Sequence, residues 1–220
     1  MGIWARLLPG AAKGLAGGVR CPVVVGSERM DFAILGHWRK ALDGRPLYWR
    51  LDTPLPSVPD QVQRFAIQSA LSQWARASGL LFRESGILDP VDLRYGFAEI
   101  DGRLGVVGRA GLPMGTGRPE VAEGDVTFDS LESGWGFTTT APVTLPDIDF
   151  YSVALHESGH GLGLGHSEVW GSVMHAWYLG PNRALREDDR EAIARLYPPL
   201  TMDERITRLE QRIRDLEGTP

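Results

Sequence analysis

One cysteine, Cys21, stands among 220 residues, so no internal disulfide can staple this chain. Long apolar runs are missing as well, and none approaches the ~20 residues needed to cross a bilayer. There is no basic excess: 23 Lys and Arg against 28 Asp and Glu give a net charge of −5. Such a surface offers a nucleic-acid backbone no counter-charge. Histidine is sparse, with five in all. Internal repeats and low-complexity tracts are not seen. What remains is a hydrophobic content of 43%, enough for one ordinary domain to bury a core unaided. The 27 glycines and 15 prolines point to long loops.

Residues 1–36 are Gly-rich and weakly patterned, and they read as a leader or prosegment. Arg6, Pro9 and Lys13 interrupt what would otherwise resemble the apolar centre of a signal peptide. Regular structure is expected from residues 47–51 (LYWRL), a β-prone run closed by Pro54 and Pro56. A helix follows. Ser57 and Asp60 make an approximate capping box, Pro59 suits the first turn, and Gly79 supplies the stop. Its predicted buried face is Val62, Phe65, Ala66, Ala70, Leu71 and Trp74.

Residues 80–83, 91–97, 106–110 and 125–128 read as further strands. The third, with its glycines and arginine, suits a sheet edge better than a centre. A second helix is expected from Asp147 into the histidines, and a third over 187–197 with Ala192, Ile193 and Leu196 buried. The order describes an α+β domain with a mixed sheet. In the tail, Met202, Ile206, Leu209, Ile213 and Leu216 fall at 4-3-4-3 spacing with charges between them. This amphipathic helix has two readings, docking on its own domain and self-association.

Three of the five histidines lie within residues 156–166, HESGHGLGLGH. His156 and His160, four apart on a helix, project from one face and can share a metal ion. Gly163 tolerates the backbone turn that would swing His166 back as a third ligand. Three imidazoles without cysteine leave a tetrahedral position open, the mark of a catalytic rather than structural zinc. Glu157 stands where it can meet the water that such an ion activates. The competing readings are a chance alignment of histidines and a zinc site without turnover. The first needs five positions to coincide, and the second leaves Glu157 without a task.

At this point the chain resembles the metzincin metallopeptidases, whose motif is HExxHxxGxxH followed by a Met-turn. Residues 172–175 (SVMH) stand eight past His166, and Ser167 points to the matrixin (matrix metalloproteinase-like) branch. Further likeness lies at His37-Trp38, at 47–51, at the acidic stretch 128–132 and at 185–197, so the resemblance covers residues 37–198. It implies a twisted mixed five-stranded sheet with two long helices, a C-terminal helix and a Met-turn below the zinc. It also implies a secreted zinc endopeptidase acting on proteins or peptides. Residues 1–36 would then be leader, 37–198 the catalytic domain and 199–220 a C-terminal helix.

By the same resemblance, Glu157 is the general base and Met174 the floor under the metal. Asp189 would anchor the Met-turn, and Asp188 would serve a processed N-terminus. His175 belongs to the pocket rim. Tyr178 is a candidate pocket residue, within Ala176-Trp177-Tyr178 where the family has Pro-x-Tyr. Asp129 and Glu132 are candidate calcium ligands. A second, structural zinc is not expected, because residues 99–124 hold no histidine. Arg20-Cys21 resembles the family's latency switch, in which the cysteine occupies the open zinc position, although the flanking residues differ. The alternative to an enzyme is a non-hydrolytic zinc-binding or assembly module on the same fold.

Overall fold

A computed structural model describes residues 2–4, 32–102, 105–113, 122–132, 134–137, 148–178 and 180–217. The expectations for Cys21, for Arg6, Pro9 and Lys13 in the signal-like start, and for part of the loops flanking 106–110 lie outside the described residues. The strands are β1 (Gly2–Trp4), β2 (Phe32–Ile34), β3 (Leu47–Thr53), β4 (Phe82–Glu84), β5 (Leu93–Ala98), β6 (Gly108–Ala110), β7 (Asp125–Asp129), β8 (Trp135–Gly136), β9 (Ile148–Asp149) and β10 (Leu164–Ser167). The helices are α1 (Arg39–Leu42), α2 (Asp60–Ser78), α3 (Phe150–Gly161), α4 (Glu187–Leu196) and α5 (Met202–Glu217).

The main sheet runs β1-β6-β7-β5-β3-β4. β4, β3, β5 and β7 are mutually parallel, and β6 turns antiparallel beside β7. These five strands are the expected mixed sheet. A sixth, β1, pairs antiparallel with β6, so β6 is not the outermost strand as its composition suggested. Period-two alternation sends Leu47, Trp49 and Leu51, then Leu93, Tyr95 and Phe97, then Val126 and Phe128 into the core. There Phe150, the first residue of α3, meets Phe97 and Phe128 with ring centroids 5.5 and 4.8 Å apart.

Helix α2 ends at Gly79 as its sequence suggests, but its buried face is rotated from the expected one. Phe65 is 55% exposed and Val62 37%, while Gln63 and Ile67 are buried. The cause is the Gln63 amide. It accepts from Leu55 N (2.9 Å) and donates to Leu55 O (3.1 Å) and Val58 O (2.7 Å). That side chain ties down the β3–α2 connection, a task the Ser57–Asp60 capping box does not perform: the N-cap is Pro59, without a side-chain cap bond.

Three other expectations are corrected. α3 begins at Phe150, with Asp149 as N-cap accepting from Ser152 N at 3.2 Å. Structure also starts before residue 47, since β2, inside the stretch read as leader, pairs with β10. Finally, α5 touches the domain through Arg205, Arg208 and Leu209, but it does not bury its apolar stripe there: Met202, Ile206, Leu209 and Ile213 are all exposed.

The rotation of α2 yields a direct test by urea unfolding. Gln63→Ala removes three hydrogen bonds and leaves Leu55 N and Val58 O without this partner, while Leu55 O keeps Val58 N; it should cost about 2–3 kcal/mol. Phe65→Ser, on the open face, should cost below ~0.5 kcal/mol.

Candidate metal centre

The site is built on the C-terminal half of α3. Its helical period brings His156 and His160 to one face. The helix then ends, with Leu162 N donating to Ser158 O at 2.9 Å and Gly163 N to His160 O at 2.8 Å. Gly163 has φ +109°, and a Cβ there would overlap the carbonyl of Gly36, so a side chain is excluded on two grounds. From this turn the chain reverses into β10 and delivers His166. One nitrogen from each of the three rings lies within 4.8 Å of the others.

Whether the donors suit zinc can be judged from the rings. Nε2 of His160 and Nε2 of His166 are 3.2 Å apart. Tetrahedral ligands ~2.0–2.1 Å from zinc are themselves about 3.3 Å apart. On the outer side, Nδ1 of His156 faces Val173 O at 2.6 Å and Nδ1 of His160 faces Leu164 O at 2.7 Å. A carbonyl can only accept, so each Nδ1 carries the proton and each Nε2 presents its lone pair inward. Burial, with the neighbouring rings, holds His156 and His160 well below the ordinary imidazole range. Burial likewise lowers His166, to about 4. Neutral imidazole is the ligating form. The donor set fits zinc.

Glu157 is fully buried, and neither carboxylate oxygen has a hydrogen-bond partner among the described residues. Desolvation raises its pKa well above the ordinary carboxyl value. A buried unpartnered carboxyl is costly and marks a site made for something else. It lies beside β6: a Cβ built on Gly108 would be 3.0 Å from Glu157 Cγ.

Under the histidines runs the turn 172–175. Met174 is buried against α3, where Gly159 permits close approach; a Cβ there would overlap Met174 Sδ and come 2.9 Å from Trp74 Cζ2. Asp189, on the first turn of α4, accepts from Ser172 Oγ (2.5 Å), Val173 N (2.9 Å), Met174 N (3.0 Å) and Arg186 N (2.8 Å). Asp188 beside it is half-buried. His175 lies outside the three-histidine cluster, its ring 5.3 Å from that of the exposed Trp170. Both line a cavity of about 260 Å³ with Trp177 and Tyr178. The Tyr178 hydroxyl accepts from Asp149 N at 2.9 Å, and burial pushes its pKa up to about 12.

Asp129 and Glu132 serve their own loop in this structure. Asp129 accepts from the N–H groups of Ile100, Gly102 and Leu131, and Glu132 from that of Gly134. Among the described residues the one assembled group of metal donors is the three histidines. Sequence reading missed the support of Asp149, which is fully buried and held by Arg183 through two 2.8 Å bonds. The signal available was an Asp at the start of an apolar helix with Ser three residues on.

The matrixin family model matches residues 37–198, and the chain belongs to that family. It is 34% identical to matrix metalloproteinase-25 of Mus musculus over 188 residues, 77% of this chain and 28% of that protein. Over 153 residues it is 39% identical to matrix metalloproteinase-2 of Drosophila melanogaster, covering 64% of this chain and 19% of the relative. The hatching enzyme of Paracentrotus lividus is 36% identical over 150 residues, 64% of this chain and 22% of its own length. The chain spans a third or less of the length of these relatives.

Asp189 carries the testable consequence. Asp189→Ala leaves the backbone N–H groups of Val173 and Arg186 without their acceptor and Met174 N with Ser172 Oγ alone, a loss on the order of 3–5 kcal/mol in urea unfolding. Because Val173 O orients His156, the same variant should also release zinc to a competing chelator at least tenfold more readily.

Proposed function

We propose that this chain is a zinc-dependent endopeptidase that hydrolyses internal peptide bonds of proteins. The observation that carries the reading is the convergence of three inward imidazole nitrogens beside a buried carboxyl with no other partner. His156, His160 and His166 would hold the ion. Zinc, when bound, supplies Lewis acidity that polarises a scissile carbonyl and makes water nucleophilic at neutral pH. Glu157 takes a proton from the attacking water at its carboxylate and delivers it to the departing amine. Met174 and Asp189 take no proton; they keep the His156 ring in place.

Substrate enters as an extended strand along β6, with main-chain hydrogen bonds giving affinity. The pairing of Gly2–Trp4 on that edge supports this route. Gly108, the register partner of Trp4, adjoins Glu157, so a chain lying there passes across the carboxyl. The cavity lined by Tyr178, Trp177, His175 and Trp170 supports selection of an apolar side chain. Family membership supports secretion and a leader over residues 1–36, with Cys21 as its candidate zinc-blocking residue. No described helix is long and apolar enough to cross a membrane.

Two measurements test this reading. Against a quenched peptide library with zinc present, Glu157→Gln should lose about 10²- to 10⁴-fold in kcat/KM while keeping one zinc per chain by metal analysis. Parental cleavage by that variant would place the base elsewhere. Deleting Gly2–Trp4 should lower KM severalfold at unchanged kcat, because a competitor for the same edge weakens substrate binding alone. An unchanged KM would show that strand and substrate use different surfaces.

A further inference from the structure

Helix α5 carries its own N-terminal cap. Thr201 and Glu204 form a reciprocal capping box: Glu204 N donates to Thr201 Oγ1 (3.3 Å), while the Glu204 carboxylate accepts from Thr201 N (2.7 Å) and Oγ1 (2.8 Å). Pro198 and Pro199 separate the helix from α4 and favour an extended spacer. No residue of α5 joins the described hydrophobic core. Where Arg205, Arg208 and Leu209 approach the domain, they border a cavity of about 510 Å³ and do not close it. The stripe remains open, with Met202 67%, Ile206 46%, Leu209 55% and Ile213 53% exposed.

The spacing assigns heptad positions. Met202, Leu209 and Leu216 fall at d, Ile206 and Ile213 at a. Ile at a with Leu at d is the combination that favours two parallel strands. The flanking charges then decide orientation. Every e position is acidic (Asp203, Glu210 and Glu217), and both g positions are arginine (Arg205 and Arg212). A parallel pair sets each g against the next e of the partner, Arg205 against Glu210 and Arg212 against Glu217, opposite charges in both cases. An antiparallel pair would set g against g and e against e, arginine on arginine and carboxylate on carboxylate. We infer that the open face of α5 is a homodimer interface, joining two copies of this chain as a parallel two-stranded coiled coil.

Sedimentation of the full chain, from low to high micromolar, tests the inference. The parent should move from monomer towards twice its 24.2 kDa mass. The double variant Arg205→Glu with Arg212→Glu should stay monomeric, as should Glu210→Arg with Glu217→Arg. An equimolar mixture of the two should recover the dimer, which shows that each variant helix remains folded. A parent that stays monomeric throughout, its helix folded back onto the domain, overturns the proposal. So does a mixture that fails to associate, or a charge-reversed variant that dimerises like the parent.

Discussion

Three imidazoles can share one ion only if each ring turns its lone pair to a common point inside a dry interior, and the rest of the structure serves that requirement. A neutral imidazole has one proton to place, and a backbone carbonyl on the outer side decides where it goes. For His156 that carbonyl is Val173 O, seventeen residues on; for His160 it is Leu164 O. Both depend on other parts of the chain. Val173 lies in a turn hung from Asp189, so α4 reaches the metal site through one carboxylate and the hydrogen bonds it accepts. Leu164 lies in β10, which pairs with β2, and Leu35 N donates to Gly163 O at 2.8 Å across the same junction. The donors therefore assemble only in the folded domain.

Helix α3 must in turn be held at one height above the sheet. Trp74 of α2 donates its indole N–H to Leu155 O at 2.9 Å, just before the first histidine. From the sheet, the Tyr95 hydroxyl meets Ser158 Oγ at 2.9 Å, between the two helical histidines. At the C-terminal end, Trp38 Nε1 donates to Gly161 O (2.8 Å) and the Tyr197 hydroxyl to Leu162 O (2.7 Å). Each is the polar tip of a large aromatic side chain whose ring packs in or against the core. The same residues supply the packing and fix the position of the helix. A site carried on such an element keeps its geometry when substrate arrives, which is what positioning catalysis requires.

Legibility in the sequence followed the range of the interaction. The histidine spacing, the turn at Gly163 and the alternating strands were readable because they are set by neighbours within a few residues. The family match over residues 37–198 coincides with the extent read from motifs alone. The buried face of α2 was not readable, because Gln63 looks solvent-bound until Leu55 and Val58 are brought beside it. β2 carries too short an apolar pattern to announce itself, and its strand status comes from β10, 130 residues away. Asp149 and Arg183 are each ordinary surface residues by type, and only folding turns them into an ion pair with one partner fully buried. The tail went the other way. Its local pattern was plain, and what the sequence left open was whether the domain offered it a matching face.

The place of that tail bears on how the two ends of the molecule can work together. The cavity bordered by α5 is lined on the domain side by Tyr48 of β3 and Arg83 of β4. β4 closes the sheet at the end opposite β6 and β1. The helix thus leaves the domain at the far edge of the sheet, while the strand beside Glu157 lies at the other. Pairing through α5 would leave β6, at the opposite end of the sheet, uncovered. A parallel pair also brings both domains to the same end of the stalk, each joined to it through Pro198 and Pro199. Two sites tethered in this way would, under the proposed activity, engage one chain as a pair, and the second engagement would gain from the first through effective concentration.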